Sequence, residues 1–89
     1  MAANVKKIAL KTPLKMGDKE LSEITLRKPT PGDCRGLSLQ DIAAMEMDTY
    51  ATFLPRIASP VITEDHVMSM ELGDVIECMR KVNEFLSGN

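Results

Sequence analysis

The stretch LRKPTPGDCRGLSLQDIAAM, residues 26–45, decides the fold, because two periodicities meet in it. Before it, residues 5–10 and 24–26 alternate apolar and polar side chains, as in a strand with one covered face. After it, apolar residues recur every three or four positions, the spacing of an amphipathic helix. Thr30-Pro31-Gly32-Asp33 marks the change. Thr30 can cap a short helix whose first position is Pro31, where a missing N–H costs nothing. Gly36 ends that turn. Ser38-Leu39-Gln40-Asp41 then has the form of a capping box, with Asp where Glu or Gln is usual.

Toward the N-terminus the reading is a β-hairpin, residues 6–15 paired with 20–28 around a Gly17-Asp18 turn. Pro13 must then sit on an edge or at a bulge, where its missing N–H does no harm. A lone hairpin is marginal in water, so another element has to cover one face.

Toward the C-terminus, Asp48 is placed to cap a helix over residues 49–57, with Tyr50, Phe53, Leu54 and Ile57 on one side. Pro55 lies inside that pattern and should kink or shorten the helix. Ser59-Pro60 breaks the chain again. Thr63 caps a short helix over 64–68, with acids in its first turn. The last helix, 71–86, carries Leu72, Val75, Ile76, Met79, Val82, Phe85 and Leu86 at helical steps. The expected class is α+β: an N-terminal β-hairpin followed by a small helical subdomain of three to five helices, the C-terminal one longest. One domain covers 1–89, with the hairpin in 1–29 and the helical part in 30–89.

Composition sets bounds on this. With 89 residues the core is thin. There are three aromatic residues, Tyr50, Phe53 and Phe85, no Trp and seven Met, so aliphatic and thioether side chains do the filling. Charge is unevenly spread. Residues 1–36 hold eight Lys or Arg against four acids, and residues 37–89 hold three against nine. A basic half can meet nucleic acid, an acidic partner or its own acidic half. Cys34 and Cys78 are isolated thiols without CxxC spacing, as in a reduced cytosolic protein. The opening MAANVKKIAL is too polar for a signal peptide, and no apolar run approaches the ~20 residues of a membrane span. The expected compartment is the cytoplasm.

Catalytic signals are weak. His66, the one histidine, lies beside acids at a helix start and reads as a surface residue. Cys34 has Arg35 beside it but no local histidine to complete a nucleophile pair. Metal-ligand spacing and a complete phosphate-loop motif are absent, and TPGDCRG places an acid where a phosphate wants backbone amides. No enzyme, no cofactor and no metal are expected.

Two binding readings stand. SLQDIAAMEMDTYATFLPRIA resembles the opening of a helix-turn-helix. Its second helix offers Thr49, Tyr50, Thr52 and Arg56, with Pro55 in the middle and an acidic surrounding half that repels phosphates. The other reading is a protein-interaction module. It rests on the methionines at 45, 47, 68 and 70 and on FLPRIASPVI, an apolar run broken by two prolines.

Two strings carry a family likeness. ITLRKPTPGDCRGL (residues 24–37) and FLPRIASPVIT (residues 53–63), in that order and before one closing helix, resemble the small phage tail assembly chaperones. That family includes short tail-gene proteins of contractile-tailed, Mu-like bacteriophages. The resemblance implies a non-enzymatic protein in the host cytoplasm, absent from the mature virion. It implies transient binding of the tape-measure protein before tail-tube subunits polymerise around it, without nucleic acid or membrane. Other tail proteins, and a longer form made by translational frameshifting, are further implied partners. The alternatives are a small helix-turn-helix DNA-binding protein and a minor structural component retained in the virion. For contact residues the sequence points to Met45, Met47, Phe53, Leu54, Ile57, Val61 and Ile62, in or beside the proline-broken segment where not every side chain can be buried.

Overall fold

In the computed structural model, which describes residues 5–88, the chain forms an antiparallel sheet followed by four α-helices. Strands β1 (Val5–Met16) and β2 (Lys19–Arg27) make the expected hairpin, turning at Gly17 with a positive φ of 68°. A two-residue strand, β3 (Ala58–Ser59), extends the sheet in the order β1-β2-β3 and pairs with Leu26 and Thr25. The sequence pattern missed β3, because two residues are too few to show alternation.

Pro13 lies both at an edge and at a bulge. Ala9 pairs with Glu23 and Leu14 with Leu21, so four residues of β1 face one of β2. The bulge frees backbone N–H groups, and the buried Asp74 collects two of them. Its carboxylate oxygens accept from Lys11 N–H at 3.0 Å and Thr12 N–H at 3.2 Å. Pro13 itself has no N–H to satisfy.

A 3₁₀ turn (Pro31–Cys34) follows β2 with Thr30 as its cap, as expected. Helix α1 (Leu39–Ala43) starts at Ser38, whose hydroxyl accepts from Asp41 N–H. Helix α2 (Met47–Ile57) corrects the sequence reading at its start. Its cap is Glu46 rather than Asp48, the carboxylate accepting from Thr49 N–H at 3.0 Å. It runs through Pro55 to the expected end at Ile57. A proline in a helix interior costs ~3 kcal/mol. Tyr50, Phe53, Leu54 and Ile57 are all buried along α2, and each such side chain contributes roughly 1.5–3 kcal/mol. Burial wins.

Helix α3 (Glu64–Ser69) is capped by Thr63, and helix α4 (Leu72–Leu86) is the longest. Strands and helices share one cluster of buried side chains, with Ile8, Ile24 and Leu26 from the sheet meeting Phe53, Leu54, Val75 and Val82. The fold is α+β, an N-terminal antiparallel sheet followed by helices.

Candidate partner-binding surface

Both family strings converge on one joint. Arg27 leaves β2 and grips Asp33 with two hydrogen bonds of 2.6 Å. The same carboxylate accepts from Thr30 N–H at 2.8 Å, which closes the 3₁₀ turn. Arg27 also donates to the carbonyl of Arg56 at 2.8 Å. That carbonyl lies in the last turn of α2, where helical oxygens have no partner within the helix. Arg56 reciprocates, donating to the carbonyls of Asp33 at 2.9 Å and Arg35 at 2.7 Å. Arg27 therefore caps the end of α2, and Arg56 caps the end of the 3₁₀ turn. The Arg27 guanidinium holds the Asp33 carboxyl far below the usual carboxylate range, with the Thr30 bonds acting in the same direction. Gly36, at φ 77°, then swings the chain toward Leu37, which packs on the core.

This joint disposes of a base-reading role for α2. Arg56 is its only basic side chain, and two backbone carbonyls occupy it. Tyr50 is buried, its hydroxyl donating to the carbonyl of Ile42 at 2.9 Å and its ring meeting Phe53 edge-on. Among the described residues, one ion pair joins the basic and acidic halves, Lys6 to Glu84 at 2.8 Å, with Lys6 also over the Phe85 ring.

The seven contact residues expected from sequence divide. Val61 is 80% exposed and Met45 is 38% exposed, while Met47 is half-buried. Phe53, Leu54, Ile57 and Ile62 are buried, which corrects their assignment to a surface. Alternation around Pro60 explains the split, since Val61 turns outward and Ile62 turns into the core. Met45 adopts φ 60° at the corner between α1 and α2, a conformation that favours glycine.

The apolar surface that sequence reasoning missed lies on α4. Leu72, Ile76 and Leu86 are exposed, and helical spacing places them along one flank. Seven apolar residues span more of the helix than one buried face can take, and that width was the available signal. Leu86 continues the flank into a groove of about 440 Å³, walled by Pro29, Pro31, Cys34, Leu37 and the exposed Leu39.

His66 and Cys78 have structural roles. His66 Nδ1 accepts from Thr63 N–H at 3.0 Å, so the imidazole serves as a helix cap. Burial pushes the Cys78 thiol up to about 12, with Asp74 and Glu77 adding to the effect, so it stays protonated. Among the described residues no group of three His, Cys, Asp or Glu is placed to hold a metal, and no helix is long and apolar enough to cross a membrane.

The joint that ties residues 24–37 to residues 53–63 lies inside a family match. Residues 7–87 fit the family described as phage tail assembly chaperone proteins, E, or 41 or 14. The chain belongs to the phage tail assembly chaperone family. It is 40% identical over 82 residues to tail assembly protein E of Escherichia phage P2, covering 92% of this chain and 90% of that protein. It is 39% identical over 79 residues to tail assembly protein E' of the same phage, covering 89% of this chain and 56% of that protein. No solved structure matches. The two strings of this chaperone thus include the residues that cap its hairpin–helix joint, Arg27, Thr30, Asp33 and Arg56.

Proposed function

We propose that this chaperone is non-enzymatic and binds the tape-measure protein transiently, in the host cytoplasm, leaving before the virion is complete. The observation that supports this is the exposed apolar flank of α4 running into the groove at Leu39. Scattered exposed apolar residues are ordinary, but three on one flank of a helix that ends at an apolar groove make a candidate interaction site. A helical client with an apolar stripe fits such a strip in the helix-in-groove manner. The three exposed or half-buried members of the expected set, Met45, Met47 and Val61, are a second candidate contact. Affinity should be modest, because the client must later be released to the tube. A longer, frameshifted form would present the same domain, and the E' relative is longer than the stretch this chain matches.

The test is co-expression with the long helical protein of the same tail cluster, following its soluble yield and co-purification. The wild-type chain should keep that protein soluble and hold it through purification at moderate salt. Leu72→Asp with Ile76→Asp should lose the complex while unfolding stability stays within about 0.5 kcal/mol per site. Val61→Asp separates the second contact from the first. A client that stays insoluble with the wild-type chain sinks the tape-measure reading.

A further inference from the structure

We propose that the groove beside the hairpin–helix joint selects a client segment that is acidic as well as apolar. This rests on the tape-measure reading and specifies which kind of stretch of that protein docks. The groove is walled by Pro29, Pro31, Cys34, Leu37, Leu39 and Leu86. A second recess, of about 520 Å³, shares the wall formed by Pro29, Thr30 and Pro31, and its other lining residues are Arg27 and Lys28. An apolar slot and a basic one thus adjoin along one wall. That wall is preformed. Proline rings fix φ at Pro29 and Pro31, and Thr30 is tied to Asp33 through both its N–H and its hydroxyl. A rigid wall spares an incoming segment part of the ordering cost.

Charge identifies the occupant. Arg27 is neutralised by Asp33. Lys28 and Arg35 are exposed and make no ion pair among the described residues, and Arg35 follows the groove-lining Cys34 in the chain. No acid lines either recess. On the helices that supply Leu39 and Leu86, the acids two residues away are Asp41 and Glu84. Each lies about 160° around its helix axis from that leucine, and Glu84 pairs there with Lys6. The two cations are thus left for a partner. Nucleic acid does not match the pair. It asks for a track of cations and for stacking platforms, and Tyr50, Phe53 and Phe85 are all buried. A helix that sets apolar anchors into the slot and carboxylates against Lys28 and Arg35 matches both features.

The complex with the long helical tail protein, purified from co-expression, tests this by carbodiimide cross-linking, which joins an amine to a carboxylate in direct contact with it. Mass spectrometry should find Lys28 joined to an Asp or Glu of the client beside an apolar stripe. Lys28→Glu with Arg35→Glu should weaken the complex roughly tenfold or more and remove the fall of affinity with salt. Reversing the cross-linked client acid to Lys should recover much of that loss. Both changes are at exposed positions, and circular dichroism checks that the variant folds. A complex in which Lys28 joins no client acid, or which the double reversal leaves unmoved, overturns this inference and leaves the tape-measure reading standing. A wild-type chain that holds no such protein overturns the reading and this inference with it. Duplex DNA held by the wild-type chain and released by the double reversal assigns the two cations to phosphates, and overturns the inference too.

Discussion

The two family strings meet at one joint but are held by different forces. Residues 27–35 are fixed by directional, charge-assisted hydrogen bonds, from Arg27 to Asp33 and from Arg56 to the carbonyls of Asp33 and Arg35. Residues 53–62 are fixed by exclusion of water from Phe53, Leu54, Ile57 and Ile62. The first depends on geometry and protonation, the second on volume. Only the first region can therefore be loosened by pH without a change of sequence. The large exposed apolar side chains include those of the α4 flank, outside both regions, and Val61, within the second.

The largest expected effect falls on the apolar region. Phe53→Ala removes a fully buried ring that meets Tyr50 edge-on, and should destabilise the chain by about 3–5 kcal/mol in denaturant unfolding. In a domain of marginal stability that is close to loss of the fold. A loss under about 1 kcal/mol would mean that α2 is not the cover of the sheet.

Asp33→Asn should cost less, about 1–2 kcal/mol, because Arg27 is half-exposed and its ion pair is weakened by solvent. This loss should also vary with pH. The Asp33 carboxyl is depressed in the folded chain, so below its ordinary range of about 4 the unfolded state binds more protons than the folded one. Stability from Asp33 is complete above that range and is lost as pH falls through and below it. The gap between wild type and Asp33→Asn should be full at pH 7 and shrink below about pH 4, whereas the Phe53→Ala gap should stay level. Parallel pH profiles for the two variants would erase the distinction between charge-held and volume-held regions.

How far the sequence carried the reading follows from the same distinction. The hairpin, the Thr30, Ser38 and Thr63 starts and the last helix were legible, because alternation, helical spacing and capping residues are local signals. The extent of the helix to Ile57 was legible too, but its start was not, since Asp48 and Glu46 are both capable caps and only the fold sets which of them accepts from Thr49 N–H. The Arg27–Asp33–Arg56 network was also hidden: its strings were recognisable, but their convergence depends on the fold. Asp74 is the same case, a carboxylate in the last helix that satisfies a bulge 62 and 63 residues away. Of the expected contact set, Phe53, Leu54, Ile57 and Ile62 failed as surface because apolar residues near prolines look alike in sequence whether they face in or out. Leu72, Ile76 and Leu86 were outside that set because helical spacing alone does not say which residues of a wide apolar stripe face out.

The smallest effect concerns the one residue that works against its own element. Pro55 leaves the Ala51 carbonyl without the amide it would receive in an unbroken helix, and its ring crowds that oxygen. Pro55→Ala returns the N–H and relieves the crowding, but it also frees the unfolded chain, which offsets part of the gain. The net should be a stabilisation of about 1 kcal/mol, well inside the intrinsic difference of ~3 between the two residues in a helix interior. Unfolding of Pro55→Ala beside wild type measures it. A destabilisation would show that α2 is already bent to suit the proline, so that the reciprocal caps of Arg27 and Arg56 depend on that bend. The two regions would then be coupled, and combining Pro55→Ala with Asp33→Asn would give less than the sum of their separate effects.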